Sequence, residues 1–150
     1  MVSWVEFAEV EPSLASDVRS LMCQYGAGLG YLATVRPDGG PRVHPVAPVI
    51  TDEGLFCFIV PSPKRHDLDR DGRYALHTHM DQAAPNEFAL RGRARLVDDP
   101  EERGRVATGW AFEVDDSYTL FEFSIENAVL GARATADDWP PIYTSWRASS

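Results

Sequence analysis

Four consecutive residues, Ser62-Pro63-Lys64-Arg65, carry the clearest chemistry in this chain. Serine followed by proline is a helix-start pair. Serine suits the N-cap, and proline at the first helical position gives up an amide that would have had no partner. The amides that follow lie at the positive end of the helix dipole, where an anion is favoured. Lys64 and Arg65 add full charges to the same spot. Arg42, on a preceding strand-like run, brings a planar guanidinium that can hold two phosphate oxygens at once. Together these residues describe a phosphate site at the edge of a β-sheet. An ordinary capped surface helix with solvated cations has the same local pattern, so the elements around it must decide.

Other candidate chemistry is thinner. His77-x-His79 puts two imidazoles on one strand face, but no Cys or carboxylate stands at diagnostic spacing, and no metal is expected. Ser62, His66 and Asp67 crowd one helical turn, which is not the convergent geometry of a hydrolytic triad, and no nucleophile elbow is present. His44 sits mid-strand and suits either a structural hydrogen bond or a ligand contact. Arg91, Arg93 and Arg95 alternate with apolar residues and form a basic stripe, for which a solvated face is the default. Trp4, Trp110, Trp139 and Trp146 read as core or interface.

The elements that must position these residues follow from periodicity. Leu29, Tyr31, Ala33 and Val35 alternate with Gly30, Leu32, Thr34 and Arg36, a strand pattern. Pro37-Asp38-Gly39-Gly40 is a turn of hairpin type. Val43, Val46, Val49 and Ile50 make the next run. Pro45 and Pro48 lie inside it, so a bulge or an unpaired amide edge is expected there. After the turn Thr51-Gly54, Leu55–Val60 is continuously apolar and suits a strand buried on both faces. Residues 12–25 read as a helix ended by Gly26, 63–71 as a short helix, 73–79 and 86–97 as strands. Asp98–Glu102 marks another helix start, and 118–133 suggests two strands around Glu126-Asn127. The tail, 135–150, reads as an arm. Closely joined strands with few helices predict a mainly β fold, a six- to seven-stranded antiparallel split barrel with a few short flanking helices.

Composition narrows the function. The chain has 150 residues, 44% hydrophobic and 25% charged, which suits one domain spanning 1–150. The net charge of −9 argues against a nucleic-acid or acidic-membrane partner. No apolar run approaches the ~20 residues of a membrane helix. The N-terminus, MVSWVEFAEVEPS, is acidic without an apolar core, so no signal peptide is expected. Cys23 and Cys57 are the only cysteines, and Cys57 reads as a buried small hydrophobe; a cytoplasmic setting is expected.

An ordered set of segments resembles the pyridoxamine 5′-phosphate oxidase-like, FMN-binding split-barrel superfamily. The segments are LATVRPDGGPRVHPV (32–46), Pro61-Ser62-Pro63-Lys64 leading into Asp67–Asp71, Tyr74-Ala75-Leu76, Leu90–Ala94 and Asp98-Asp99-Pro100. The resemblance covers roughly residues 25–130. It implies a homodimer with a cofactor in each of two grooves between subunits. Arg42, Val43, His44 and Val46 match the strand beneath the flavin and its phosphate side. Phe58, Ile59 and Val60 match the strand whose backbone faces the ring. Ser62, Lys64 and Arg65 match the phosphate-binding turn. Glu87 falls where oxidases of the family often place a Gln that reaches the ring from the partner subunit. The Arg-x-Ser-like ending of true pyridoxamine phosphate oxidases is not evident in the tail.

The resemblance therefore implies a flavin (FMN)-dependent oxidoreductase acting on a small molecule that the sequence does not name. Two alternatives stay open. One is a reductase using a deazaflavin of the coenzyme F-420 type, which needs cations for a longer acidic tail. The other is a non-catalytic flavin- or haem-binding module.

Overall fold

A computed structural model describes residues 1–83 and 85–150. Four helices and nine strands are present among the described residues. Helices α1 (Trp4–Val10) and α2 (Pro12–Met22) precede strands β1 (Gly30–Val35), β2 (Pro41–Val46), β3 (Val49–Ile50) and β4 (Leu55–Ile59). Helix α3 (Pro63–Arg70) leads into β5 (Arg73–Thr78) and β6 (Glu87–Val97), and α4 (Pro100–Thr108) into β7 (Thr119–Phe123), β8 (Asn127–Ala132) and β9 (Ile142–Arg147). Among the described residues no helix is long and apolar enough to cross a membrane.

The strands form one antiparallel sheet in the order β2-β1-β5-β6-β7-β4-β3, with β8 added to β6 and β9 to β8. β6 is where the barrel splits. Its first half, Glu87–Arg91, pairs with β8, and its second half, Ala94–Val97, pairs with β7. Gly92 lies at the division. A Cβ there would stand 2.0 Å from the Ser124 carbonyl oxygen, so only glycine lets the two halves part. At the β1–β2 turn Gly39 takes a positive φ of 84°, as the Asp-Gly pair requires.

The Val43–Ile50 run is not one strand. It breaks at Ala47-Pro48 into β2 and β3, which lie at opposite ends of the sheet path. Pro45 falls on an edge strand paired only with β1, where a missing donor is tolerated. Two other expectations change. α2 ends at Met22 rather than at Gly26, and the tail contributes β9. α1 is closed by a capping box, the Glu6 amide donating to Ser3 Oγ at 3.2 Å and the Ser3 amide to Glu6 Oε2 at 2.7 Å.

The core lies between the inner sheet face and α1 and α2. Phe7, Val18 and Met22 meet Leu32, Leu76, Phe88 and Leu90, all buried. Each such side chain contributes about 1.5–3 kcal/mol relative to exposure. A second cluster packs Val106 of α4 on Phe56, Phe58, Val97 and Leu120. Among the described residues no such cluster covers the outer face of the sheet. One row runs Pro45-Tyr31-His77-Ala89-Val129-Ser145 across six strands, and the next runs Val43-Ala33-Ala75-Arg91-Asn127-Arg147. Small and apolar side chains make up most of the first row and the β2-side half of the second, which ends in Arg91, Asn127 and Arg147, and Val43 is 61% exposed.

Candidate functional site

The helix start at Ser62 forms as its residue types require, with one difference. Ser62 is the N-cap, in extended conformation, and Pro63 opens α3. Its hydroxyl does not cap the helix. It turns back and donates to the Val60 carbonyl at 2.8 Å. The Ser62 carbonyl instead accepts from the Arg65 amide at 3.1 Å and the His66 amide at 3.3 Å. The Lys64 amide is left without a protein partner among the described residues. Ser62, Lys64 and Arg65 are all half-buried. Lys64 lies near Cys57 of β4: burial pushes that thiol well up, and the Lys64 charge pulls weakly the other way. Arg65 reaches the Ser117 carbonyl at 3.5 Å, a long contact that ties it to the loop before β7.

Arg42 reaches α3 through a residue that sequence reasoning did not single out for binding. Asp67, one helical turn beyond Lys64, is 1% exposed. Its Oδ2 accepts from Arg42 Nε at 2.7 Å and from Thr34 Oγ1 at 2.8 Å. Its Oδ1 accepts from Arg70 Nη2 at 3.3 Å, and the same Arg70 nitrogen donates to the Val35 carbonyl. Burial alone would raise the Asp67 carboxyl. The bonds from Arg42 and Thr34, the Arg42 charge and the bond from Arg70 together hold it below the usual carboxylate range. A signal existed in the sequence. Gly30, Leu32 and Thr34 form the buried set of β1, and a hydroxyl in an apolar row needs a partner.

The remaining expected site residues divide between faces. His44 and Val46 share the inner side of β2 with Arg42, His44 lying opposite Leu32. Val43 points to the outer face. Phe58 and Ile59 are buried in β4, so any ligand contact there is by backbone, and Val60 is exposed at the strand's end. That edge of β4 is open, because β3 covers only Leu55 and Phe56. Glu87 is not brought to this cluster within one chain. It opens β6, three strands from β2, where Oε2 lies 3.5 Å from His77 Nε2 and Oε1 accepts from the Tyr143 hydroxyl at 3.5 Å. His79 Nδ1 lies 2.9 Å from the Tyr31 hydroxyl. Among the described residues no three His, Cys, Asp or Glu side chains converge as a metal site.

The fit to a phosphate rests on donors left over. Arg42 commits only Nε to Asp67, and its two terminal amino groups have no protein partner among the described residues. One helical turn before Asp67 stand the Lys64 amide and ammonium. An anion with several acceptor oxygens suits this donor set.

The strand pairing and the Ser62–Arg65 helix start together describe a split antiparallel barrel with cations gathered at the end of β4. Residues 23–130 match the pyridoxamine 5′-phosphate oxidase family, and the chain belongs to it. No curated protein matches its sequence. Solved structures share the fold at low identity. A heme binding protein from Mycobacterium smegmatis superposes with a TM-score of 0.68 at 14% identity, over 91% of this chain and 59% of that one. HutZ, a heme storage protein from Vibrio cholerae, gives 0.62 at 20% identity, over 77% and 89%. A conserved hypothetical protein from Mycobacterium tuberculosis gives 0.61 at 18%, over 75% and 81%.

Proposed function

We propose that this chain is an FMN-dependent oxidoreductase acting on a small molecule as a homodimer. The observation that carries the reading is Arg42, anchored on buried Asp67 with terminal amino groups that no described residue occupies, while Asp67 itself lies one turn from the uncapped Lys64 amide. Arg42, Lys64 and Ser62 would hold the phosphate, with Arg65 adding charge. Val60 and the open backbone edge of β4 would lie along the ring, with His44 and Val46 beneath it. When bound, FMN supplies hydride and electron transfer, and the protein's part is to bind, orient and exclude water. The uncovered outer sheet face, with Val43, Tyr31, Ala33 and Ala75, is the surface proposed for the second subunit. The partner's Glu87 position would then complete the groove. Obligate dimers bury on the order of 2,000 Å² or more, which a face spanning six strands can supply. A deazaflavin would need more cations along its tail than this donor set offers.

Haem binding is the second reading. It is favoured by the two heme proteins that share the fold and by the half-buried His44, His77 and His79. The colour of the purified protein separates the two: flavin absorbance and fluorescence for the first, a Soret band for the second.

The decisive test is titration of FMN and riboflavin into wild type, Lys64→Ala and Arg42→Ala. Loss of one charge-assisted contact, worth roughly 1.5–3 kcal/mol, weakens FMN about 10- to 150-fold. Riboflavin, which lacks the phosphate, weakens far less. Equal weakening of both ligands, or of neither, places the phosphate elsewhere. Sedimentation of the FMN-loaded protein at micromolar concentration is expected to give a dimer, and a monomer sinks the shared groove.

A further inference from the structure

We infer that Asp67 is a positioning residue for phosphate recognition: it fixes the Arg42 guanidinium by its Nε edge so that both terminal amino groups face the phosphate monoester. The inference rests on the FMN reading and adds a residue which that reading does not require. A carboxylate near an anion site is an electrostatic cost, so its presence there needs a reason. Stability is a weak one, because buried ion pairs are often matched by apolar side chains of similar volume. The geometry supplies a better one. Oδ2 takes one bond from β1, at Thr34, and one from β2, at Arg42, while Asp67 itself belongs to α3. Oδ1 is occupied by Arg70. The carboxylate is thus held on both oxygens, and Arg42 meets it through Nε alone. The guanidinium is steered to a single-edge contact, and the fork opposite Asp67 stays open. A long side chain fixed before the ligand arrives loses less freedom on binding. The same carboxylate also ties the strand bearing Arg42 to the helix bearing Lys64, so both phosphate donors share one frame.

The test is a cycle of Asp67→Asn, Arg42→Ala and the double variant, each titrated with FMN and with riboflavin. Asp67→Asn is expected to weaken FMN about 3- to 10-fold, the ordering cost of one freed side chain, and to leave riboflavin unchanged. In the Arg42→Ala background the Asp67→Asn effect vanishes, which a purely structural role would not produce. Equal weakening of FMN and riboflavin, or an undiminished effect without Arg42, overturns the positioning role while leaving the phosphate site standing. Absence of FMN binding to wild type, or no phosphate-selective loss in Arg42→Ala, overturns the FMN reading and this inference together. Should Asp67→Asn not fold, Thr34→Val, which removes the other bond to Oδ2, is expected to give a smaller loss, again only for FMN. Failure of both variants to fold makes Asp67 a core-stability residue and rejects the inference.

Discussion

Asp67 and Asp71 sit four residues apart on the same stretch of chain, and both are bound by arginine, yet they do different things. Asp71, at the C-cap of α3, has the fuller set of bonds. Arg73 Nη2 donates to its Oδ2 at 2.7 Å, Arg73 Nε to both oxygens at 3.1 Å, and the Arg73 amide to Oδ1. Those bonds pull the Asp71 carboxyl down to about 2. Every one of them comes from a residue two positions along the chain. Asp67 has three bonds, and they join β1, β2 and α3. The depth of a pKa shift is therefore a poor guide to importance. A contact that forms within a few residues can form in the unfolded chain too, and then contributes little to the difference between states. A contact across elements exists only when the fold does.

Three substitutions test whether the two carboxylates differ in this way. The largest expected effect is that of Asp67→Ala, which strips the partner from buried Thr34 and from Arg42. Removing one member of a buried pair costs about 3–5 kcal/mol, and because the Arg42 side chain is one-quarter exposed the expected loss is nearer 2–3 kcal/mol, read by urea unfolding. A loss no larger than that of Asp71→Ala would erase the distinction. Next is the acid limb of stability. The folded Asp67 carboxyl lies below its unfolded value, so its contribution is complete above about pH 4 and is lost as pH falls through the folded value. Asp67→Asn should flatten the decline of stability below about pH 4. The smallest effect is that of Asp71→Asn. Its carboxyl is also depressed, but by a turn with Arg73 two residues on that can form in the unfolded chain as well, so the midpoint and the acid limb should match wild type. A clear loss of acid stability in that variant would show that the turn is a property of the fold.

Much of the architecture was legible from local pattern. The Pro37–Gly40 turn, the α3 start at Ser62-Pro63 and the α4 start at Asp99 all fall where their residue types require, and Asp99 caps the Glu101 amide at 3.1 Å. The misses share a cause. α1 is only seven residues long and offers too few turns for a period to show. Pro45 and Pro48 mark an interruption in the Val43–Ile50 run, but nothing in its composition says that its two halves belong to opposite ends of the sheet path. The tail lacks alternation, and Ile142–Arg147 becomes a strand because β8 offers it an edge.

For the site, residue type and spacing alone determined that Ser62, Lys64 and Arg65 cluster at a helix start, because those residues are neighbours and a helix start is a local object. The Ser62 hydroxyl turning away, Val43 facing outward while Arg42 faces inward, and Glu87 lying three strands off are set by packing across the fold. Tertiary structure alone placed Asp67 against Arg42 and Thr34, separated from it by 25 and 33 positions. Strand alternation tells which residues share a face, but either face can turn inward, and the pattern is the same in both cases. The choice was made when the apolar set Leu32, Leu76 and Leu90 was buried under α1 and α2. That burial carried Thr34 inside with it, and the hydroxyl met its partner on α3.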